Sequence, residues 1–189
     1  MTINLMALDT VKTYLGLTDT TYDAQITAML PIVSADVRRI LNTKFDQYIP
    51  CSFTDDSTNL VLTYYMGYYY PYQQKLLPVG TVVYHPDLPD DTYIQAYDPM
   101  SIQYTLSATP NDSGNYVYPT INIAQFPTIS KMVYYRISKL STDMPDEQIA
   151  SKSMGVLSVN YAGNKGVNKK WDYPQQLIDD LGTPFARIG

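Results

Sequence analysis

Residues that readily do chemistry at neutral pH are sparse in this chain of 189 residues, which has one histidine and one cysteine. His85 stands in the segment YHPDLP, whose prolines and aspartate are typical of a solvated turn. A Ser-His-Asp site would have to use this histidine, and the sequence lacks the G-x-S-x-G pattern that presents a nucleophilic serine. Cys51 leaves no disulfide within the chain, and we expect it to fill apolar space.

Two further patterns resemble metal-binding or catalytic sequences without meeting their full requirements. Asp87, Asp90 and Asp91 could offer oxygen ligands to a hard cation such as calcium, but the EF-hand pattern is absent and aspartate beside proline is typical of turns. Tyr161 and Lys165 have the YxxxK spacing of short-chain dehydrogenases, but no glycine-rich nucleotide turn follows a first strand. We therefore expect a protein that is not an enzyme and uses neither metal nor cofactor.

Six of the nineteen tyrosines fall within residues 64–72. Their side chains could cover a half-buried sheet, or they could form a protein interface, because tyrosine combines a large rigid area with a polar hydroxyl. Base stacking on nucleic acid would also need a basic groove, and this region has a single lysine, Lys75. The interface residues that we predict are Tyr68, Tyr69, Tyr70 and Tyr72.

The distribution of charge divides the chain into two compositions. Between Asp46 and Ser130 one lysine stands against eight aspartates, a formal charge of −7, whereas the rest of the chain has twelve basic and ten acidic residues. The central region also holds nine of the thirteen prolines. Two compositions predict two architectures, and the lack of an apolar run of about 18 residues predicts that the chain has no membrane partner.

The first elements that would position these residues are two helices. Apolar residues at helical spacing predict a short helix over residues 8–16, ended by Gly16, and a long amphipathic helix over residues 19–42. A residue of segment 19–21 could cap the long helix, and Pro31 inside it predicts a bend. The short linker predicts that the two helices pack as a hairpin.

Beyond this hairpin the sequence alternates in the manner of strands and then returns to helix. Six strands are predicted in QYIPCSF, NLVLTYY, GTVVYH, TYIQAYD, SIQYTLSA and YPTINIA. From Pro127 the helical period returns with Thr128 as a cap, MGVLSVNYAG predicts one more strand, and a last helix covers residues 174–181.

This order of elements predicts an α+β fold. A small α-helical bundle of about four helices is interrupted by an inserted antiparallel β-sandwich or barrel-like domain. The predicted helical domain consists of residues 1–45 and 127–189, and the predicted β domain of residues 46–126.

Both ends of the chain resemble the head-tail connector proteins of tailed bacteriophages, which are also called adaptor or head-completion proteins. The stretch LDTVKTYLGLTDTTYDAQITAMLPIVSADVRRILNTKF is similar to the opening helical hairpin of that family. SKSMGVLSVNYAG followed by YPQQLIDDLGTPFARI is similar to its closing pattern of a serine-rich turn, a G-x-x-S-V-x-Y strand and a Tyr-Pro helix. The central PVGTVVYHPDLPDDTYIQAYDPMSIQYTLSAT resembles a small β module of phage structural proteins.

The resemblance implies a structural virion protein that forms a ring, usually of twelve copies, docks on the portal and joins the DNA-filled head to the tail. Its implied partners are further copies of itself, the portal, and a tail, nozzle or stopper protein, with capsid or head fibres as candidate contacts of the β domain. DNA would pass through an acidic channel without specific binding. The implied location is the head-tail interface of the virion, and the host cytoplasm during assembly.

The family's closing segment tends to extend toward the portal. Carried over to this chain, that resemblance points to Pro184, Phe185, Ala186, Arg187 and Ile188 as portal-binding residues. An alternative function from another class is a carbohydrate- or host-surface-binding module that uses the tyrosine-rich β domain.

Overall fold

The computed structural model describes residues 4–42, 48–63, 77–101, 103–140, 151–154, 157–160, 167–168 and 171–182. The fold is α+β, with four helices and an antiparallel six-stranded, barrel-like sheet in these residues. The chain divides into two compact units. The helical unit comprises residues 1–44 and 125–189, and the β unit comprises residues 45–124.

Helix α1 spans Leu8–Leu15 and buries Val11 and Leu15. It ends at Gly16, whose φ of +67° lies in the left-handed region that glycine adopts without strain. The backbone N–H groups of Gly16 and Leu17 donate to carbonyls of the last turn. The predicted end of the first helix at this glycine is therefore confirmed.

Helix α2 spans Asp23–Ile40 and is shorter than the predicted helix over residues 19–42. The predicted cap within segment 19–21 is wrong, because Asp19 Oδ1 accepts a hydrogen bond from the backbone N–H of Thr21 and forms a turn before the helix. The helix continues through Pro31, which is exposed. The predicted bend at this proline stays a prediction.

Helix α3 spans Phe126–Leu140, and helix α4 spans Gln175–Leu181. Thr128 was predicted to cap α3, but the helix begins two residues earlier, directly after a 3₁₀ turn over Ile123–Gln125, so Thr128 is a helical and buried residue. The α3 helix contributes much of the buried core of the helical unit. Its most buried apolar side chains are Ile129, Met132, Val133, Tyr134 and Tyr135.

The sheet of the β unit has six strands, β1 (Ile49–Phe53), β2 (Asn59–Leu62), β3 (Thr81–Tyr84), β4 (Ile94–Asp98), β5 (Gln103–Leu106) and β6 (Gly114–Asn122). Their spatial order is β3-β6-β1-β2-β5-β4, and all described pairs are antiparallel. A bridge between Val82 and Tyr93 brings the outer strands β3 and β4 together, so the sheet is nearly closed. Backbone hydrogen bonds from Val83 N–H to the Thr92 carbonyl and from Gly80 N–H to the Ile94 carbonyl satisfy part of the edge that an open sheet would expose.

One core fills the inside of this sheet. Its buried members are Cys51, Phe53, Leu60, Leu77, Val83, Leu88, Ile94, Tyr104, Leu106 and Val117. Cys51 is 1% exposed, so the prediction that it fills apolar space is confirmed. Burial raises the pKa of its thiol to about 12, which makes this thiol a poor nucleophile in the folded chain.

The segment MGVLSVNYAG was predicted as one strand. It contributes instead to a hairpin, because β7 (Ser151–Met154) pairs with β8 (Leu157–Asn160) in antiparallel register. The serine-rich turn implied by the resemblance is wrong, because SKS lies in β7 and supplies the hydrogen-bonding partners that the backbone of β8 needs. Two two-residue strands, β9 (Val167–Asn168) and β10 (Tyr173–Pro174), pair just before α4.

Candidate functional site

The residues predicted to bind partners lie outside the described parts of the chain. Tyr68, Tyr69, Tyr70 and Tyr72 belong to segment 64–76, and Pro184, Phe185, Ala186, Arg187 and Ile188 belong to segment 183–189. Within the described residues, two clusters of polar and aromatic side chains stand out. One is in the helical unit and the other is in the β unit.

The cluster in the helical unit is centred on Arg136 of α3. Its guanidinium donates three hydrogen bonds of 2.9 Å: Nε to the Tyr173 hydroxyl, Nη1 to Asp172 and Nη2 to Asp36. The Tyr173 hydroxyl donates in turn to Asp36, also at 2.9 Å, and Lys139 forms a second ion pair with Asp172. We call these five residues the Arg136 network.

The Arg136 network holds its phenol and its guanidinium in fixed protonation states. Burial raises the pKa of Tyr173 above its ordinary value, because ionisation would place a charge in a site with no solvent access. Burial alone would lower the pKa of Arg136. The hydrogen bonds to Tyr173 and Asp36 raise this pKa by more than burial lowers it, so the net shift is upward. The guanidinium also lies 4.5 Å from the centre of the Tyr173 ring.

The bonds of the Arg136 network hold three segments of the helical unit together. The Tyr173 hydroxyl already accepts from Arg136 and donates to Asp36, which leaves it little capacity for a substrate. Asp172 has a left-handed backbone with φ of +61°, a conformation that aspartate tolerates better than most residues. The network thus joins α2, α3 and the chain just before α4.

The cluster in the β unit consists of Tyr48, Tyr116 and Tyr118, which we call the tyrosine patch. Tyr48 precedes β1, and the other two alternate along β6 with the buried Val117, so they lie on the outer face of the sheet. The ring centroids are 6.0 Å apart for Tyr48 and Tyr116, 6.3 Å for Tyr48 and Tyr118, and 5.5 Å for the pair on β6. All three pairs pack edge to face.

The buried His85 ring packs against Tyr116 of the tyrosine patch. It was predicted to be a solvated turn residue, and this is wrong, because its side chain is 6% exposed and packs between Phe53 and Tyr116 at 5.1 and 4.4 Å. The turn still forms, with Leu88 N–H donating to the His85 carbonyl. The imidazole Nδ1 accepts from the backbone N–H of Asp87, an arrangement that requires the neutral ring with its proton on Nε2.

The buried His85 predicts a loss of β-unit stability in weak acid. Burial lowers its pKa below the ordinary 6.5, although the Asp87 carboxylate, 3.4 Å away, opposes the shift. Because the unfolded chain binds this proton at higher pH than the folded chain, stability is full above about pH 6.5 and falls as pH drops through the folded pKa. NMR titration of this imidazole, the single one in the chain, should give a pKa below 6.5.

A matched variant separates the effect of His85 protonation on stability from the effect of protonating carboxylates. His85→Gln keeps an acceptor for the Asp87 N–H but has no proton to gain, so its urea midpoint should change less than that of the wild type between about pH 7.5 and 5.5. A measured His85 pKa above the ordinary histidine value would contradict the prediction.

Neither cluster has the composition of a metal site. Across the residues that the structure describes, no three histidine, cysteine, aspartate or glutamate side chains converge in a way that could hold a metal ion. In the same residues no helix combines the length and the apolar character needed to cross a bilayer. No protein-family model, no curated protein and no solved structure matches the chain.

Proposed function

We propose that this chain is a head-tail adaptor of a tailed bacteriophage, a structural protein that assembles into a ring on the portal and joins the DNA-filled head to the tail. The observation that carries the proposal is the bond between Asp36 and Tyr173. Asp36 belongs to the opening stretch that resembles the family, and Tyr173 belongs to the closing stretch, where it lies in β10 just before α4. The two stretches on which the resemblance rests are therefore parts of one bonded frame.

The same frame gives the closing stretch a fixed starting point. Tyr173 is fully buried, and Leu177 and Leu181 of α4 are buried in the helical unit. At the other end of α4, the Gln125 side-chain amide donates to the Leu181 carbonyl at 2.6 Å. Gly182 follows directly and is the last described residue before the proposed portal-binding residues, Pro184–Ile188 in sequence. An anchored helix ahead of a binding segment lowers the entropy lost on docking.

The charge of the chain also suits a channel through which DNA passes. Each copy has a formal charge of −5, so a ring of copies would repel the phosphate backbone and let DNA slide without sticking. In this proposal the partners are further copies of the chain, usually twelve in all, the portal above and a tail, nozzle or stopper protein below. The β unit would be free to contact capsid or head fibres, and the protein would reside at the head-tail interface of the virion.

Deletion of residues 183–189 tests the proposal. We expect the truncated chain to keep its helical unit and to lose binding to portal, because the proposed contact residues are removed while the buried side chains of α4 remain. Co-sedimentation with purified portal measures binding, and electron microscopy of the full-length mixture should show a ring on the portal.

Two controls separate docking from folding. Trp171, the single tryptophan of the chain, precedes the Arg136 network residues Asp172 and Tyr173, so its fluorescence reports whether the helical unit is intact. Arg187→Ala should weaken portal binding without removing any backbone. If the truncated protein co-sediments with portal to the same extent as the full chain, the assignment of residues 184–188 is wrong. If the full-length protein does not bind portal, the proposed function is wrong.

A further inference from the structure

We propose that the tyrosine patch is a docking surface for a basic segment of a protein partner, one that offers lysine or arginine side chains. This inference rests on the β unit alone and stands apart from the adaptor proposal. It is carried by three features of the described residues: an exposed and well-supported aromatic surface, the carboxylate beside it, and the charge of the unit.

The tyrosine patch combines the exposed Tyr48 with the half-buried Tyr116 and Tyr118, and its rings support one another. The Tyr48 side chain is 60% exposed. Its ring packs edge to face on Tyr116 and Tyr118, and Tyr116 rests on the buried His85. Tyrosines held in this way bind a partner with little further loss of side-chain entropy, which is why such rings are enriched at interfaces.

A carboxylate lies one side chain away from these rings. Asp87 Oδ2 is 3.4 Å from His85 Nδ1, and the His85 ring is 4.4 Å from the Tyr116 ring. The Asp87 side chain is 42% exposed, so it can meet a group that approaches the patch. A basic segment bound on the patch would bring its cations to the tyrosine rings and to this carboxylate.

The charge of the whole unit points to the same class of partner. Its described residues include seven aspartates and no lysine or arginine, and the unit as a whole has only Lys75. Such a field attracts basic segments and repels nucleic acid and anionic membranes, which share its sign. Neutral glycans also stack on tyrosine but gain nothing from this charge, so the field favours a cationic protein partner.

Fluorescence anisotropy with a labelled peptide of alternating arginine and glycine, added to the full chain, tests the inference. We expect saturable binding that weakens as salt rises and that exceeds binding of matched peptides with serine or glutamate in place of arginine. Tyr48→Ser should weaken binding roughly fivefold, since one cation–π contact at a partly exposed site is lost. Tyr48→Phe keeps the ring face and should bind nearly as the wild type does.

Matched variants separate the patch from general charge. Tyr14→Ser removes a tyrosine that is 47% exposed in the helical unit and should leave binding unchanged. Asp87→Asn should weaken binding more than Asp55→Asn, which removes the same charge from an exposed position with no described contact to the patch. Protection of Cys51 from a thiol reagent shows in each case that the β unit is folded.

Two results would overturn the inference. One is equal binding of the arginine peptide by the wild type and Tyr48→Ser, which would show that non-specific charge attraction accounts for the binding. The other is binding of a neutral oligosaccharide such as maltoheptaose that is lost in Tyr48→Ser while the arginine peptide fails to bind, which would make the patch a glycan site. Because portal takes no part in these measurements, their failure leaves the adaptor proposal untouched.

Discussion

Replacing Arg136 by leucine is expected to destabilise the helical unit by about 3 kcal/mol. The guanidinium is the common donor to Asp36, Asp172 and Tyr173, and its side chain is only 21% exposed. Leucine would fill part of the volume but would remove the nearer of the two cations from the Asp36 carboxylate, which is 13% exposed. Most of the cost comes from that carboxylate, because the Asp172 pair is 41% exposed and solvent screens it.

The matched control is Arg39→Leu, which changes the same residue type and touches the same aspartate. Arg39 is 72% exposed and its guanidinium is 3.9 Å from Asp36, so its loss should cost well under about 1 kcal/mol. Urea unfolding followed by Trp171 fluorescence measures both variants in the unit where they lie. Equal midpoints for the two variants would show that the Arg136 network does not stabilise the frame, and would remove the main structural support for joining the two ends of the chain.

Local patterns allowed the order and type of most elements to be predicted from the sequence. The apolar stripe of α1 and the glycine after it identify a helix and its end, since both signals act within one turn of the chain. The alternation of β2 and β6, bounded by Asp, Asn and Gly, identifies strands in the same way. Composition marks the insertion, because the shift to aspartate, proline and tyrosine begins near Asp46 and the β unit begins at Phe45.

The predicted starts of helices α2 and α3 were wrong because two local signals compete at each of them. Asp19 has the right chemistry for a helix cap, but its carboxylate bonds to the N–H of Thr21 in a turn, and the helix begins four residues later. Thr128 failed as a cap because the preceding 3₁₀ turn leads directly into α3. In both cases a local turn forms where the sequence also allows a helix cap, and the sequence does not show which of the two forms.

The two side-chain clusters described above could not be predicted from the sequence for a different reason. Arg136 is separated from Asp36 by 100 positions and from Tyr173 by 37, so no local pattern indicates that these side chains meet. The only sequence signal was a single arginine within the apolar run MVYYRI, which a long side chain at the edge of a core also explains. His85 was placed in the correct turn but on the wrong side of it, because burial depends on Phe53 and Tyr116 from distant strands.

Leu60→Ala is expected to destabilise the β unit by about 3 kcal/mol. Leu60 is 0% exposed and belongs to the core inside the sheet, so alanine would remove apolar contacts and leave a cavity that the nearly closed sheet cannot collapse around. Cys51 provides the measurement, since it is buried in the same core and is the single thiol of the chain. Its labelling proceeds through opening of the unit, so 3 kcal/mol should speed labelling by roughly two orders of magnitude.

Val61→Ala is the neighbouring control, and it turns the experiment into a test of strand register. Leu60 faces the core opposite Tyr104 of β5, whereas Val61 points outward and is 36% exposed, so its truncation should cost less than about 1 kcal/mol. A shift of β2 by one residue would exchange the two faces and reverse the order of the two effects. Faster Cys51 labelling in Val61→Ala than in Leu60→Ala would therefore contradict the pairing of β2 with β1 and β5.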